Sequence, residues 1–331
     1  MMRTEDVRRL CLALARIAGV GAAYYAGGRI GLLQQVVVDG AVVTPLWLPT
    51  GISLSALLWA GLRVWPGIAL GAFLVIDALS PFGLVGLGIV AGNVAAPVCA
   101  FLMLRRAGFR TALDRLRDGV ALVFLGGLLP MLISATVGAG LLVLSGSLPR
   151  EEFWTGWSAW WAGDAMGVLV ITPLLLVLRK VRMPRDTYRW GEATALAVTA
   201  VAVTLLATRS PLALLFLVFP LLIWAALRFQ LAGSAPCVLL VSVLATAAAV
   251  TLSGPFAGHS LAEAMVNLQA LNGSAALTSL LLSAVVTEQK TIRLKIEQAC
   301  QDLAEVVEQL APGKVAPRWP PTHDDGPRHR S

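Results

Sequence analysis

Ten apolar runs, each bounded by charge, Pro or Gly, take up most of this chain, at about 10–32, 44–62, 64–80, 83–104, 118–146, 153–178, 190–208, 211–227, 233–254 and 264–287. About 20 such residues let a helix cross the ~30 Å hydrocarbon core of a bilayer. Inside that core only helices or closed barrels satisfy their own backbone hydrogen bonds. Composition agrees: 57% of the 331 residues are hydrophobic and 14% are charged, against about 45–50% and about 25% in soluble domains. The expected fold is all-α, a polytopic transmembrane bundle of about ten spans. The second and third runs are short and nearly continuous, as are the seventh and eighth, so eight spans is the alternative count.

The basic residues set the expected orientation. With a cytoplasmic N-terminus and ten spans, the inside segments hold 22 of the 26 Lys and Arg residues, and the outside loops only Arg150 and Arg209. This follows the positive-inside rule and predicts a multi-pass protein of the bacterial inner membrane with both termini cytoplasmic. Net charge is +7, but the basic residues lie between apolar runs rather than on one face, which disfavours nucleic acid as a partner. Arg16 interrupts the first run, which argues against a cleaved signal peptide.

The expected divisions are a cytoplasmic N-terminus (1–9), a membrane domain (10–287), a cytoplasmic helix (288–311) and a Pro-rich polar tail (312–331) predicted to be disordered. In the helix, Ile292, Ile296, Ala299, Leu303, Val306 and Leu310 recur at spacings of 4, 3, 4, 3 and 4, the seam of a heptad repeat. It lasts under three heptads, so two readings stand: a dimeric signalling stalk pairing with a second copy, or the solvated end of the last helix. A short internal echo, WAGLRV at 59–64 and WAALRF at 224–229, fits a parallel duplication but is only six residues long.

Ionisable residues inside a span are costly and point to function. Arg16 is near enough to the inner surface to snorkel. Arg29 and Asp77 lie near the outer ends of the first and third runs and form a candidate ion pair. Asp164 lies about ten residues into the sixth run, on one helical face with Trp157, Trp160 and Trp161. Gly163 and Gly167 form a G-x-x-x-G that admits another helix. An aromatic belt accounts for Trp154 but not for a carboxylate two turns deeper. Trp47, Thr50, Asn93, Gln269 and Asn272 fall at similar outer depth, with Asn267 and His259 nearby. The candidate signal site is therefore Trp47, Thr50, Asp77, Asn93, Trp157, Trp160, Trp161, Asp164, Gln269 and Asn272, with Asp164 expected beside Asn93 or Gln269 under a roof of Trp160 and Trp161. Each polar residue taken alone also reads as an interhelical hydrogen bond. Cys11, Cys99, Cys237 and Cys300 have no metal-ligand spacing, and neither do the three histidines. No phosphate loop, zinc-protease or nucleophile-elbow motif occurs. No catalytic residue, metal or cofactor is expected.

The stretches PLWLPTGISLSALLWAGLRVWPGIALGAF (45–73), GN (92–93), WSAWWAGDAMGVLVITPLLL (157–176), FPLLIWAALRF (219–229) and LQALNGSAALTSLLLSAVVTEQK (268–290) resemble the bacterial membrane-associated sensor domain of the first type. They are also similar to the membrane part of the hexose-phosphate sensor kinase. The resemblance implies a non-enzymatic input module that detects a small-molecule or membrane signal and relays it through its last helix to a cytoplasmic output protein. No GGDEF, EAL, phospho-accepting or ATP-binding stretch follows the last run, so output in trans, or a truncated relic, is expected. The rival reading is a small-molecule transporter, supported by ten spans interrupted by seven prolines and by the echo. An intramembrane enzyme built on Asp164 lacks a partner nucleophile.

Overall fold

The computed structural model describes residues 4–38, 41–79, 83–179, 187–210, 212 and 214–310. The Pro-rich tail lies outside the described residues. The chain divides into two compact units, Met1–Val286 and Thr287–Ser331.

Each of the ten apolar runs becomes a helical segment. They are α1 (Thr4–Leu32), α2 (Leu48–Ala60), α3 (Trp65–Asp77), α4 (Leu84–Arg106), α5 (Leu116–Ala121) running through a π-helical turn and a break at Pro130 into α6 (Met131–Leu144), α7 (Phe153–Met166) running through a second π-helical turn into α8 (Thr172–Leu178), α9 (Thr187–Arg209), α10 (Val218–Phe229), α11 (Leu231–Val250) and α12 (Leu261–Leu310). The one departure from an all-α chain among the described residues is a pair of three-residue strands, Val36–Val38 antiparallel to Ala41–Val43.

Seven of the segments are long and apolar enough to cross a membrane. The other three are α2, α3 and α10, of 13, 13 and 12 residues. At 1.5 Å per residue α2 and α3 are each about 20 Å long, short of the ~30 Å core. Helices α2, α3 and α10 are three of the four runs whose shortness left the count between eight and ten; the fourth, the seventh run, became α9 and is long enough to cross. The structure accounts for α2: its first turn does not begin at a water surface but inside the protein, with Pro49 and Thr50 buried. Pro49 in that turn costs no helical bond, because the first N–H groups of a helix have no partner within it.

Helix α1 packs against α2 and α3, and α4 against α3 and α6. The α1–α3 contact is backbone to backbone, since a side chain at Gly67 would strike the carbonyl of Ile17. The main apolar core gathers around Leu54, Leu57, Ile68, Leu104, Leu122 and Leu222. A second cluster forms where α10, α11 and the outer part of α12 meet, around Val218, Val241, Phe256 and Leu268. Both echo hexapeptides lie at the end of a short helix. The first breaks within itself, at Gly61 (φ 74°), whereas the second runs through to Phe229 and breaks at Gln230 (φ 54°). The match is therefore partial.

Candidate functional site: a buried carboxylate under a glycine-seated segment

The segment from Thr44 to Gly51 lies directly on α7, because three glycines remove the side chains that would hold it off. A side chain at Gly163 would strike the carbonyl of Thr44, one at Gly167 the carbonyl of Trp47, and one at Gly51 the carbonyl of Gly167. The Trp47 N–H donates to the Gly163 carbonyl at 3.0 Å. On the α8 side the Thr172 hydroxyl donates to the Gly51 carbonyl at 3.2 Å. The G-x-x-x-G pair thus admits an extended segment and the first turn of α2, rather than the flank of a second long helix.

This seating brings Thr50 to Asp164. The Thr50 hydroxyl donates to Asp164 Oδ1 at 2.6 Å. From α6 the Ser134 hydroxyl lies 2.5 Å from Asp164 Oδ2 and 3.0 Å from the Met131 carbonyl. All three side chains are buried. Among the described residues no Lys, Arg or His forms an ion pair with Asp164. A carboxylate in hydrocarbon costs roughly 2.5–3.5 kcal/mol on insertion scales. Here it is offset by two hydroxyl donors and by the positive end of α2. Four oxygens from three helices converge, a set that can hold a proton, a hard cation or the donor groups of a ligand.

The tryptophans join α7 to α6. Pro130 breaks the helix between α5 and α6, and the Leu128 carbonyl at that break accepts from Trp161 Nε1 at 2.8 Å. Trp157 Nε1 donates to the Thr136 hydroxyl at 3.0 Å. The rings of Trp157 and Trp161 stack with centroids 6.2 Å apart. Trp160 turns the other way, toward Asp164, and fills the space left by Gly138, whose Cβ would lie 2.6 Å from its ring. Trp154, outermost, is exposed, as a belt residue would be.

The other candidates lie elsewhere. Gln269 Nε2 on α12 donates to the Pro45 carbonyl at 2.9 Å, so it meets the seated segment rather than the carboxylate. Asn272 is fully buried and neither of its amide atoms has a partner. Asn93 is half-buried on α4. Arg29 and Asp77 are both exposed, and no ion pair between them is present among the described residues. Thr50 and Ser134, not Asn93 or Gln269, hold Asp164, and Trp160 alone of the expected roof turns to it. Ser134 was not legible beforehand: a lone Ser in an apolar helix 30 residues away carries no spacing signal.

Residues 18–290 match the MASE1 family model. The chain belongs to the MASE1 family. It is thus a membrane sensor domain, and the matched span contains the seated segment, Asp164 and all but the ends of the bundle. The chain is also 27% identical over 200 residues to the protein named probable diguanylate cyclase DgcE of Escherichia coli (strain K12). That similarity covers 57% of this MASE1 chain and 17% of the relative. No solved structure matches.

Proposed function

We propose that this MASE1 chain is a non-enzymatic input module of the inner membrane, with both termini in the cytoplasm. It receives its signal at the Thr50–Ser134–Asp164 cluster and passes it through α12 to a separate cytoplasmic output protein. The observation that carries the reading is the buried Asp164, held by side chains from α2 and α6 beneath a segment that also accepts a hydrogen bond from α12. A ligand or ion that changed the carboxylate's partners would move Thr50, and with it the segment to which Gln269 is attached. The cyclase named among the relatives supports a diguanylate cyclase as the class of output partner. The Ile292–Leu310 stripe is the proposed surface for pairing with a second copy and docking that partner.

The test introduces a photo-crosslinking residue at Leu303 in the native host and compares the captured partner and the cellular cyclic diguanylate level between the unaltered chain and Asp164→Asn. The expected result is the same captured partner with an altered dinucleotide level. Robust solute uptake by the purified chain in proteoliposomes, with no captured partner, would instead establish a transporter.

A further inference from the structure

Along its buried face α12 carries Gln269, Asn272, Ala276, Ser279 and Ser283, spaced three and four residues apart and therefore on one side of the helix. Both ends of this stripe are tied down. Gln269 Nε2 donates to the Pro45 carbonyl, and the Ser283 and Ser234 hydroxyls lie 2.9 Å apart across to α11. The middle is different. Asn272 is fully buried, yet its Nδ2 and Oδ1 are both unpartnered, as are Gln269 Oε1 one turn above and the buried Ser242 Oγ of α11.

The Ser234–Ser283 contact fixes the antiparallel register of α11 and α12. Measured from it, Ser242 lies about 12 Å and Asn272 about 17 Å outward along their helices, within about one turn of each other in depth. About one turn inward of that level a small, partly open pocket of about 10 Å³, bounded by Val170 and Pro173, by Ala235 and Val238 of α11, and by Ala276 and Ser279 of α12, lies next to these groups without being lined by Gln269, Asn272 or Ser242. That is about the room one water molecule needs. A buried carboxamide with no partner at all costs several kcal/mol in an apolar surrounding, and native proteins meet such groups with protein partners or ordered water.

We infer that Asn272, with Gln269 Oε1 and Ser242, forms a buried hydration site of the membrane domain, with water molecules bridging α12 to α11 between the two direct ties. Water suits the donor and acceptor pattern, because Asn272 offers both kinds of group and water supplies both. Charged ligands do not suit it, since Gln269, Asn272 and Ser242 are all neutral. The site lies on another face of α7 from Asp164: α12 reaches α7 at Met166, whose Cε is 3.8 Å from where a Cβ at Gly273 would stand. Water-bridged contacts exchange partners without breaking packing, so this stretch of α12 is the part of its buried face able to shift.

X-ray radiolytic footprinting of the full chain in nanodiscs tests this, because bound water generates hydroxyl radicals where bulk solvent does not reach. Met166 meets α12 at Gly273, the residue after Asn272, and Met131, also buried, is the same residue type on α6. Met166 is expected to oxidise several-fold faster than Met131, and Asn272→Leu is expected to remove the difference. Should Asn272→Leu fail to insert, Ser242→Ala is expected to lower the Met166 rate while Met131 is unaffected. A Met166 rate no higher than that of Met131, or one unchanged in the substituted chain, overturns the hydration site.

Discussion

Gln269 donates a hydrogen bond to the Pro45 carbonyl at 2.9 Å, across 224 residues of sequence. Pro45 belongs to the segment that rests on Gly163, the residue before Asp164, and on Gly167, about one turn after it. Gln269→Leu should therefore leave the Asp164 cluster and the fold intact, with a stability change of about 1 kcal/mol, while decoupling output from Asp164. Thermal unfolding in detergent and the cyclic diguanylate level of the host measure the two. Full output with Gln269→Leu would remove Gln269 from the relay.

The two hydroxyls on Asp164 act on one carboxylate. Ser134→Ala and Thr50→Val are each expected to cost about 1–3 kcal/mol, the range for losing a hydrogen bond to a charged or buried partner. Because they share Asp164, the double variant should depart from additivity by more than about 0.5 kcal/mol. Simple addition in thermal or denaturant unfolding would mean that the three residues are not one network.

Gly167→Ala should be far more damaging than its one carbon suggests. The added methyl meets the backbone oxygen of Trp47, which cannot swing aside as a side-chain tip would, so the cost should reach about 3 kcal/mol or more. Gly140 on α6 has nothing within 4 Å, and Gly140→Ala is the matched control, expected to be neutral. Equal melting temperatures for the two variants would contradict the seated segment.

The stripe on α12 presents Ile292, Ile296, Leu303 and Val306 to solvent at 47–65% exposure. Cys300 follows a seam position and is exposed. With Cys11, Cys99 and Cys237 replaced, oxidation of membranes should yield a Cys300-linked dimer. A chain that stays monomeric under strong oxidation would leave the stripe as a solvated helix end.

Reporter fusions after Gly146 and at Ser331 should report opposite sides of the membrane, the latter cytoplasmic. A shared side would refute the proposed orientation.

What the sequence disclosed and what it withheld follow from range. Each apolar run is a local property, and each became a helical segment, including α2 and α3 where the break at Gly61 separates two runs that hydropathy nearly fuses. Asp164 was visible because a carboxylate among tryptophans is anomalous wherever it falls. Its partners were not, because which helix lies against which depends on packing, and the polar residues at outer depth had several ways to meet. Thr50 shares the outer depth of Asp164, and Gly163 is the reason it can come close. Ser134 and the π-helical turns had no such local mark. The same limit applied to Gln269, whose depth was legible and whose partner, a backbone carbonyl, was not.

The contact between Thr50 and Asp164 spans 114 residues, and this sets an order on biogenesis. At about 5–20 residues per second, roughly 6–23 s pass between the synthesis of Thr50 and that of Asp164. Helix α2 therefore enters the bilayer with its first turn resting on Gly27 of α1 but with Thr50 lacking Asp164, and four further helices are made before that contact can close. The Thr50–Ser134–Asp164 cluster is thus completed late, by the docking of α7 onto helices already in place, rather than by stepwise insertion.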